Sequence, residues 1–252
     1  MLTVVIFGAG NLASHLYTAF TSSQNVKVIQ VYNRSVSNLQ FFENKVPITT
    51  SLEEVLPADI YLISISDDAI EEIITKISSF NGIIAHTSGS VPMLKSAKRN
   101  AVFYPLQTFS KTQKVDFSEI PICIEAENEK DLKTLHKLGE SISTKVFPIT
   151  TEQRKTLHLA AVFACNFTNQ LYRIAEKICE KDNISFEILH ALIAETARKA
   201  LQDSPKNVQT GPAKRGDQKT IDRHLSQLNS SELKEIYTLL TKSIQKEHGS
   251  KL

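Results

Sequence analysis

The first twenty residues constrain this chain most. Leu2-Thr-Val-Val-Ile-Phe7 is a run of β-branched and apolar residues. Gly8-Ala9-Gly10-Asn11-Leu12-Ala13 follows at once, and Leu12, Leu16, Ala19 and Phe20 then recur at helical spacing. Strand, glycine turn and helix are predicted in that order, with a G-x-G-x-x-A pattern at the joint. Gly8 permits the tight turn out of the strand. Gly10 lacks a side chain, so a pyrophosphate can approach the backbone. Ala13 lets the helix pack closely on the sheet. The helix N-terminus offers free N–H groups and positive dipole to phosphates. Gly8, Ala9, Gly10, Asn11 and Leu12 are therefore candidate dinucleotide-binding residues. A strand–helix turn that binds nothing has the same local look, but here the strand before and the helix after both match.

Val26-Lys-Val-Ile-Gln-Val-Tyr32 reads as the second strand and ends in Asn33-Arg34-Ser35. Selectivity for NAD usually rests on an acid at this strand end, which bonds the ribose 2′-hydroxyl. No acid occurs between Val26 and Phe42, and Arg34 stands where a guanidinium can accept a 2′-phosphate. Asn33, Arg34 and Ser35 thus favour NADP, against the simpler reading of Arg34 as a surface residue.

Composition sets the outer bounds. The chain has 252 residues, 41% hydrophobic and 22% charged, which fits one large or two modest globular domains. A net charge of +2 argues against a dedicated nucleic-acid surface. The apolar runs are far too short for a membrane span, and a strand pattern that begins beside Met1 implies no signal peptide. Cys123, Cys165 and Cys179 are odd in number and widely spaced, with no metal-ligand or disulfide pattern. A reducing cytoplasm and no metal are expected. Cys165, within an apolar helix, reads as a small core residue.

Further along, Leu52 to Leu56 reads as a short helix stopped by Pro57, and Ile60 to Ile65 as a buried parallel strand. Ser64, Ile65 and Ser66 lie at its carboxyl end, the edge that faces a cofactor in such sheets, and Ser66 can also cap the next helix. Asp67 and Asp68 read as helix-start chemistry rather than catalytic carboxylates. Two more strands, Ile83 to His86 and Ala101 to Tyr104, end in Thr87-Ser88-Gly89-Ser90 and Pro105-Leu106-Gln107-Thr108-Phe109. Ser88 and Gln107 could line the crevice, while turn and cap chemistry is an equal reading for Ser88 and Ser90. Ile120 to Glu125 and Thr144 to Phe147 read as late, edge-type strands, with a helix between them marked by Leu132, Leu135 and Leu138.

No strand pattern follows Thr151. Glu152 to Lys181, Ser185 to Leu201 and Thr220 to Leu228 read as helices, and Asn229 with Glu232 has capping-box spacing for a last one. The expectation is an α/β fold: a mostly parallel sheet domain over residues 1–150, then an all-helical domain over 151–252. On the first of these helices, Lys155, His158, Val162, Asn166 and Asn169 fall within an arc of roughly 80° at 100° per residue. A polar stripe on an apolar helix faces either a wet crevice or buried hydrogen-bond partners. The Asp203 to Thr220 connection is longer than a helix pair needs and carries Arg215, which could hold an anion or be a solvated loop cation.

These pieces together resemble a known family. Gly8 to Ala13, Asn33-Arg34-Ser35, His86 to Gly89, Tyr104 to Phe109, His158 to Asn166 and Thr210 to Asp217 are similar to a bacterial family of Rossmann-like proteins with a conserved helical C-terminal domain, often labelled NADP oxidoreductases. A more distant similarity is to pyrroline-5-carboxylate reductase, deazaflavin-dependent NADP oxidoreductases and β-hydroxyacid dehydrogenases. The resemblance implies NADP binding and a homodimer through the helical domain. In the hydroxyacid dehydrogenases a helix lysine is the acid/base, and Lys155 is the nearest counterpart.

The functional expectation is an NADP-dependent oxidoreductase acting on a small carbonyl, imine or hydroxyl compound in a crevice between the domains. His158, with Lys155 second, would exchange the proton; Ser88, Gln107 and Asn166 would position substrate, and Arg215 would hold its anionic end. The alternative is a dinucleotide-binding sensor or scaffold without turnover. A methyltransferase is poorly served by Asn33-Arg34, since such enzymes want an acid for the ribose hydroxyls. Neither nucleic acid nor membrane is expected as a partner.

Overall fold

Strand β1 (Leu2–Phe7) has Val4, Val5 and Ile6 fully buried, so both of its faces are covered. A computed structural model describes residues 1–111 and 113–249 and places β1 inside an eight-stranded sheet. The other strands are β2 (Val26–Tyr32), β3 (Ile48–Thr49), β4 (Ile60–Ile63), β5 (Ile83–His86), β6 (Asn100–Pro105), β7 (Ile122–Ala126) and β8 (Val146–Pro148). Their order is β3-β2-β1-β4-β5-β6-β7-β8. Every pairing is parallel except β6 with β7. The order reverses between β1 and β4, which opens a crevice at the carboxyl ends of those strands.

Helix α1 (Asn11–Thr21) buries Ala13, Leu16, Tyr17 and Phe20 against one face of the sheet, together with Val4, Ile6 and Phe103. Helix α2 (Asp67–Lys76) buries Ile70, Ile73 and Ile74 against the other, with Val5, Phe7 and Ile63. Helix α3 (Glu129–Glu140) is capped by Asn128, whose side chain accepts from the Asp131 N–H. Helix α4 (Thr151–Ala161) begins with a full capping box between Thr150 and Gln153.

Contacts divide the chain into two units, Met1–Gln170 and Leu171 onward. The boundary therefore lies about twenty residues beyond the 150/151 expectation. Arg154 gives the reason: its guanidinium bonds backbone after β5 and a carboxylate on β7, so α4 is fastened to the sheet unit. Beyond Pro148 the described residues contain helices and no strand: α5 (Thr168–Lys181), α6 (His190–Gln202), α7 (Pro205–Val208), α8 (Pro212–Arg215), α9 (Gln218–Gln227) and α10 (Ser231–His248). No helix among the described residues is long and apolar enough to cross a membrane.

Several local expectations differ from the structure. Leu52 to Leu56 forms turns, not a helix. The long helix is interrupted by a π segment, Val162–Phe167, where residues advance by less than 100°. The stripe drawn through Asn166 and Asn169 therefore does not continue straight from His158. Cys165 is exposed rather than core, as are Phe163 and Phe167. The cap of α10 is Ser230, not Asn229: the Ser230 hydroxyl accepts from the Leu233 N–H. Ser66 occupies the cap position of α2 but makes no side-chain cap bond.

The glycine turn after β1 shows why Gly8 is needed. Its φ is +114°, and a Cβ there would lie 2.1 Å from the Ser64 carbonyl oxygen. Gly8→Ala should destabilise the protein by about 2 kcal/mol or more, because neither the dihedral nor the backbone contact can relax cheaply. Guanidinium unfolding with an unchanged midpoint would contradict this.

Candidate functional site

The ends of β1, β2 and β4 meet around that turn. The Gly8 N–H donates to the Tyr32 carbonyl at 2.8 Å, and the Ser64 N–H donates to the Phe7 carbonyl at 2.7 Å. A cleft of about 650 Å³ opens above them. Gly8, Ala9, Gly10, Asn11, Leu12, Asn33, Arg34, Ser64, Ile65 and Ser66 all line it, together with Ser88 and His158. Ser35 does not. It caps the 3-10 turn Val36–Phe42 in sequence position only, and its hydroxyl lies 2.8 Å from that of Ser37.

The cradle fits a phosphate. A Cβ on Gly10 would meet nothing within 4 Å, so the backbone there faces open space. No side chain caps α1, and its first turn holds no acid, which leaves its N–H groups and dipole for an anion. Arg34 is exposed on the same cleft, as is Lys111. Glu72 shares the lining but is paired with Lys76 on the next turn of α2. The Asn11 side chain serves a second purpose: its amide donates to the Phe109 carbonyl at 3.0 Å and ties that loop to the start of α1. A larger groove, about 1010 Å³, follows the other flank of α1 past His15, Thr18 and Lys114. It lacks Arg34, Tyr104 and His158, so it offers phosphate contacts without a reacting end.

At the far end of the cleft the Tyr104 hydroxyl and His158 Nδ1 lie 3.0 Å apart, joining β6 to α4. Their rings meet edge to face, with centroids 5.9 Å apart. Gly89 presses on both, since a Cβ there would lie 2.5 Å from His158 Nδ1. Burial pushes the Tyr104 phenol up to about 12, so it keeps its proton. Thr87, Gly89, Asp67 and Tyr104 line this end and were not among the sequence candidates. Tyr104 and His158 are 54 residues apart, and no local spacing reports their contact.

The remaining candidates lie elsewhere. Lys155 pairs with Glu152 at 3.5 Å and does not line the cleft. Gln107 is exposed, and its side-chain oxygen accepts from the Thr108 N–H. Asn166 is exposed on the π segment. Arg215 ends α8 in the second unit, two residues before the Asp217 cap of α9. The Ser88 hydroxyl does turn chemistry, accepting from the N–H groups of Ser90 and Val91, while the residue still lines the cleft. Among the described residues no cluster of three or more His, Cys, Asp or Glu is placed to hold a metal.

Beneath the cleft lies a buried polar layer. Arg154 is fully buried; its guanidinium donates to the Ser88 and Val91 carbonyls at 2.9 and 2.7 Å and to Glu125 at 3.2 Å. Its Nε has no hydrogen-bond partner among the described residues. The His86 Nδ1 accepts from the Ser88 N–H, and its Nε2 donates to the Pro92 carbonyl. Burial first, and the Arg154 charge second, hold the His86 imidazole down at about 4, against 6.5 for a free ring. Between those values the unfolded chain binds a proton that the folded chain refuses. Stability is therefore full above about pH 6.5 and is lost as pH falls toward 4, by up to about 1.4 kcal/mol per pH unit. Urea unfolding at about pH 5 and about pH 7 should show this fall, and His86→Gln should flatten it. A slope unchanged by the substitution would assign the acid sensitivity to other groups.

Comparison with known proteins agrees with this fold. Residues 120–244 match the family described as a domain of unknown function, DUF2520. No curated protein matches the chain. A solved structure from Bacteroides fragilis, provisionally described as an NADP oxidoreductase, is 39% identical over 97% of this chain and 98% of that one, with a TM-score of 0.89. A Thermotoga maritima protein is 20% identical over 98% of each chain, with a TM-score of 0.74. The pyrroline carboxylate reductase of Plasmodium falciparum, solved with NADP bound, is 13% identical over 99% of this chain and 98% of that one; its TM-score of 0.61 reflects a shared fold. The chain is a Rossmann-type protein with an oxidoreductase-like fold; it carries a DUF2520 domain over residues 120–244 and belongs to the same family as the B. fragilis protein.

Proposed function

We propose that this protein is an NADP-dependent oxidoreductase acting on a small carbonyl, imine or hydroxyl compound. One observation carries the reading: a single cleft holds an open glycine cradle, a strand end that bears Arg34 and no acid of its own, and a histidine–tyrosine pair. The B. fragilis relative supports the nucleotide, as its description names NADP. The bound nicotinamide would supply or accept the hydride.

The chain's own residues do the rest. The Gly8 to Leu12 backbone and the start of α1 hold the pyrophosphate, and the Arg34 guanidinium receives the 2′-phosphate. Ser64, Ile65 and Ser66 form the wall at the end of β4. His158 exchanges a proton with the substrate at Nε2, its Nδ1 being taken up by Tyr104. Lys155 is a weaker candidate because it is paired away from the cleft. Gln107, Asn166 and Arg215 stay proposed substrate contacts, though none of them is part of this cleft's lining.

Self-association is part of the proposal. The helical segments leave Phe163, Ile188, Leu192 and Leu239 exposed, and a second copy of the chain would cover such surface. A cytoplasmic setting agrees with three free cysteines.

Calorimetric titration should find NADPH binding tighter than NADH. Arg34→Gln should weaken NADPH by about 10- to 100-fold and leave NADH nearly unchanged, since one charge-assisted contact is lost. Equal losses for both nucleotides would remove Arg34 from 2′-phosphate selection. A screen of small ketones, imines and hydroxy acids, read at the NADPH absorbance, separates an enzyme from a sensor or scaffold. With any compound turned over, His158→Ala should lower kcat by about 100-fold or more while NADPH affinity stays level.

A further inference from the structure

We infer that Tyr104 is a positioning residue that fixes the tautomer of His158, so that the neutral imidazole presents Nε2–H to the cleft as a hydrogen-bond donor. The inference deepens the oxidoreductase reading and rests on it for its functional meaning.

Three observations carry it. First, His158 Nδ1 at 3.0 Å is the hydrogen-bond partner of the Tyr104 hydroxyl among the described residues, and Nε2 has none there. Second, Tyr104 is protonated in the resting protein. Burial is the main cause, Cys123 and Asp67 reinforce it, and the Arg154 charge opposes it without prevailing. A protonated phenol can donate to an unprotonated ring nitrogen or accept from a protonated one; in the inferred pair the Tyr104 hydroxyl takes the donor role at Nδ1, which leaves the ring proton on Nε2. Third, Gly89 confines the pair. A Cβ there would approach His158 Nδ1 to 2.5 Å, its Cγ to 2.7 Å and the Tyr104 Cζ to 2.8 Å. The imidazole therefore sits in a slot set by β6 on one side and the turn after β5 on the other. Arg154, one helical turn before His158 on α4, fastens that turn through the Ser88 and Val91 carbonyls.

The consequence is a substrate class. A neutral ring with its proton on Nε2 gives a hydrogen bond and takes none. It suits a compound whose reacting atom is an acceptor, a carbonyl oxygen or an imine nitrogen. An alcohol or an ammonium group would need an unprotonated Nε2 to receive its proton. When Nε2 passes its proton to the acceptor that has taken up the hydride, the Tyr104 proton shifts onto Nδ1; a solvent proton then enters at Nε2 while the Nδ1 proton returns to the phenolate, which restores the starting form with no net charge left on the pair. A phenol is a stronger acid than an aliphatic alcohol, which makes that relay downhill.

The test is nitrogen NMR of full-length protein carrying 15N-histidine, with the His158 signals assigned by their loss in His158→Gln. Near neutral pH the wild type should show Nδ1 unprotonated and Nε2 protonated, as one fixed form. Tyr104→Phe keeps the ring and removes only the hydroxyl. Its His158 shifts should move toward the averaged values of an unconstrained histidine, with NADPH affinity within about twofold of wild type. Gly89→Ala, which displaces the imidazole, should produce the same spectral change. With a carbonyl or imine that the protein reduces, Tyr104→Phe should also lower kcat by about 10- to 100-fold. A protonated Nδ1 in neutral wild type, or identical tautomers in wild type and Tyr104→Phe, overturns the inference. Absence of NADPH binding by wild type, with the tautomer as described, overturns the oxidoreductase reading instead.

Discussion

The backbone contact between Gly8 and Ser64 is the constraint on which the cleft depends. With φ at +114° and no room for a Cβ, the chain leaves β1 directly against the end of β4. That approach sets where α1 starts, and the start of α1 is where an anion can be met by free N–H groups. The same junction brings Tyr32 and Asn33 alongside, through the Gly8 N–H bond to the Tyr32 carbonyl. Arg34 reaches the cleft because the strand next to β1 ends there. A side chain at position 8 would thus disturb three strand ends, and with them the cleft lining at both the start of α1 and Arg34.

The opposite end of the cleft is organised by a different force. Arg154 is fully buried and only partly compensated, since its Nε has no hydrogen-bond partner among the described residues. Such a charge is costly to bury, and removing its partners would cost more. Its value is geometric: a planar fork reaches two carbonyls of the Ser88–Val91 turn and a carboxylate of β7 at once. The turn it fixes carries Gly89, and Gly89 walls in His158. The Arg154 charge also helps keep His86 neutral, so that His86 accepts from the Ser88 N–H and donates to Pro92 without a second buried charge.

Residues near in sequence were legible; residues joined across the fold were not. The strand–glycine–helix unit, the strand ending at Asn33 and the buried Ile60–Ile63 strand follow from period and turn chemistry, because each is a local pattern. Strand β3 has two residues, too few for any period to register. The π segment was invisible because sequence spacing presumes a uniform helical turn, and that presumption misplaced Asn166 and the burial of Cys165. Reading the domain boundary at the last strand missed that α4 is held by Arg154, a residue that a polar-stripe argument had no cause to choose. Tyr104 escaped notice for the same reason: as part of an apolar strand it looks structural, and only its approach to His158 across 54 residues gives it a chemical neighbour.

The central claim is that one cleft receives both the phosphates and the reacting ring of a nicotinamide dinucleotide. A crystal structure of the protein with NADP tests this most directly. The account predicts the pyrophosphate against Gly8 to Leu12, the 2′-phosphate on Arg34, and the nicotinamide within contact of His158. A dinucleotide lying instead along the groove past His15 and Lys114, with its nicotinamide remote from Tyr104 and His158, would contradict it.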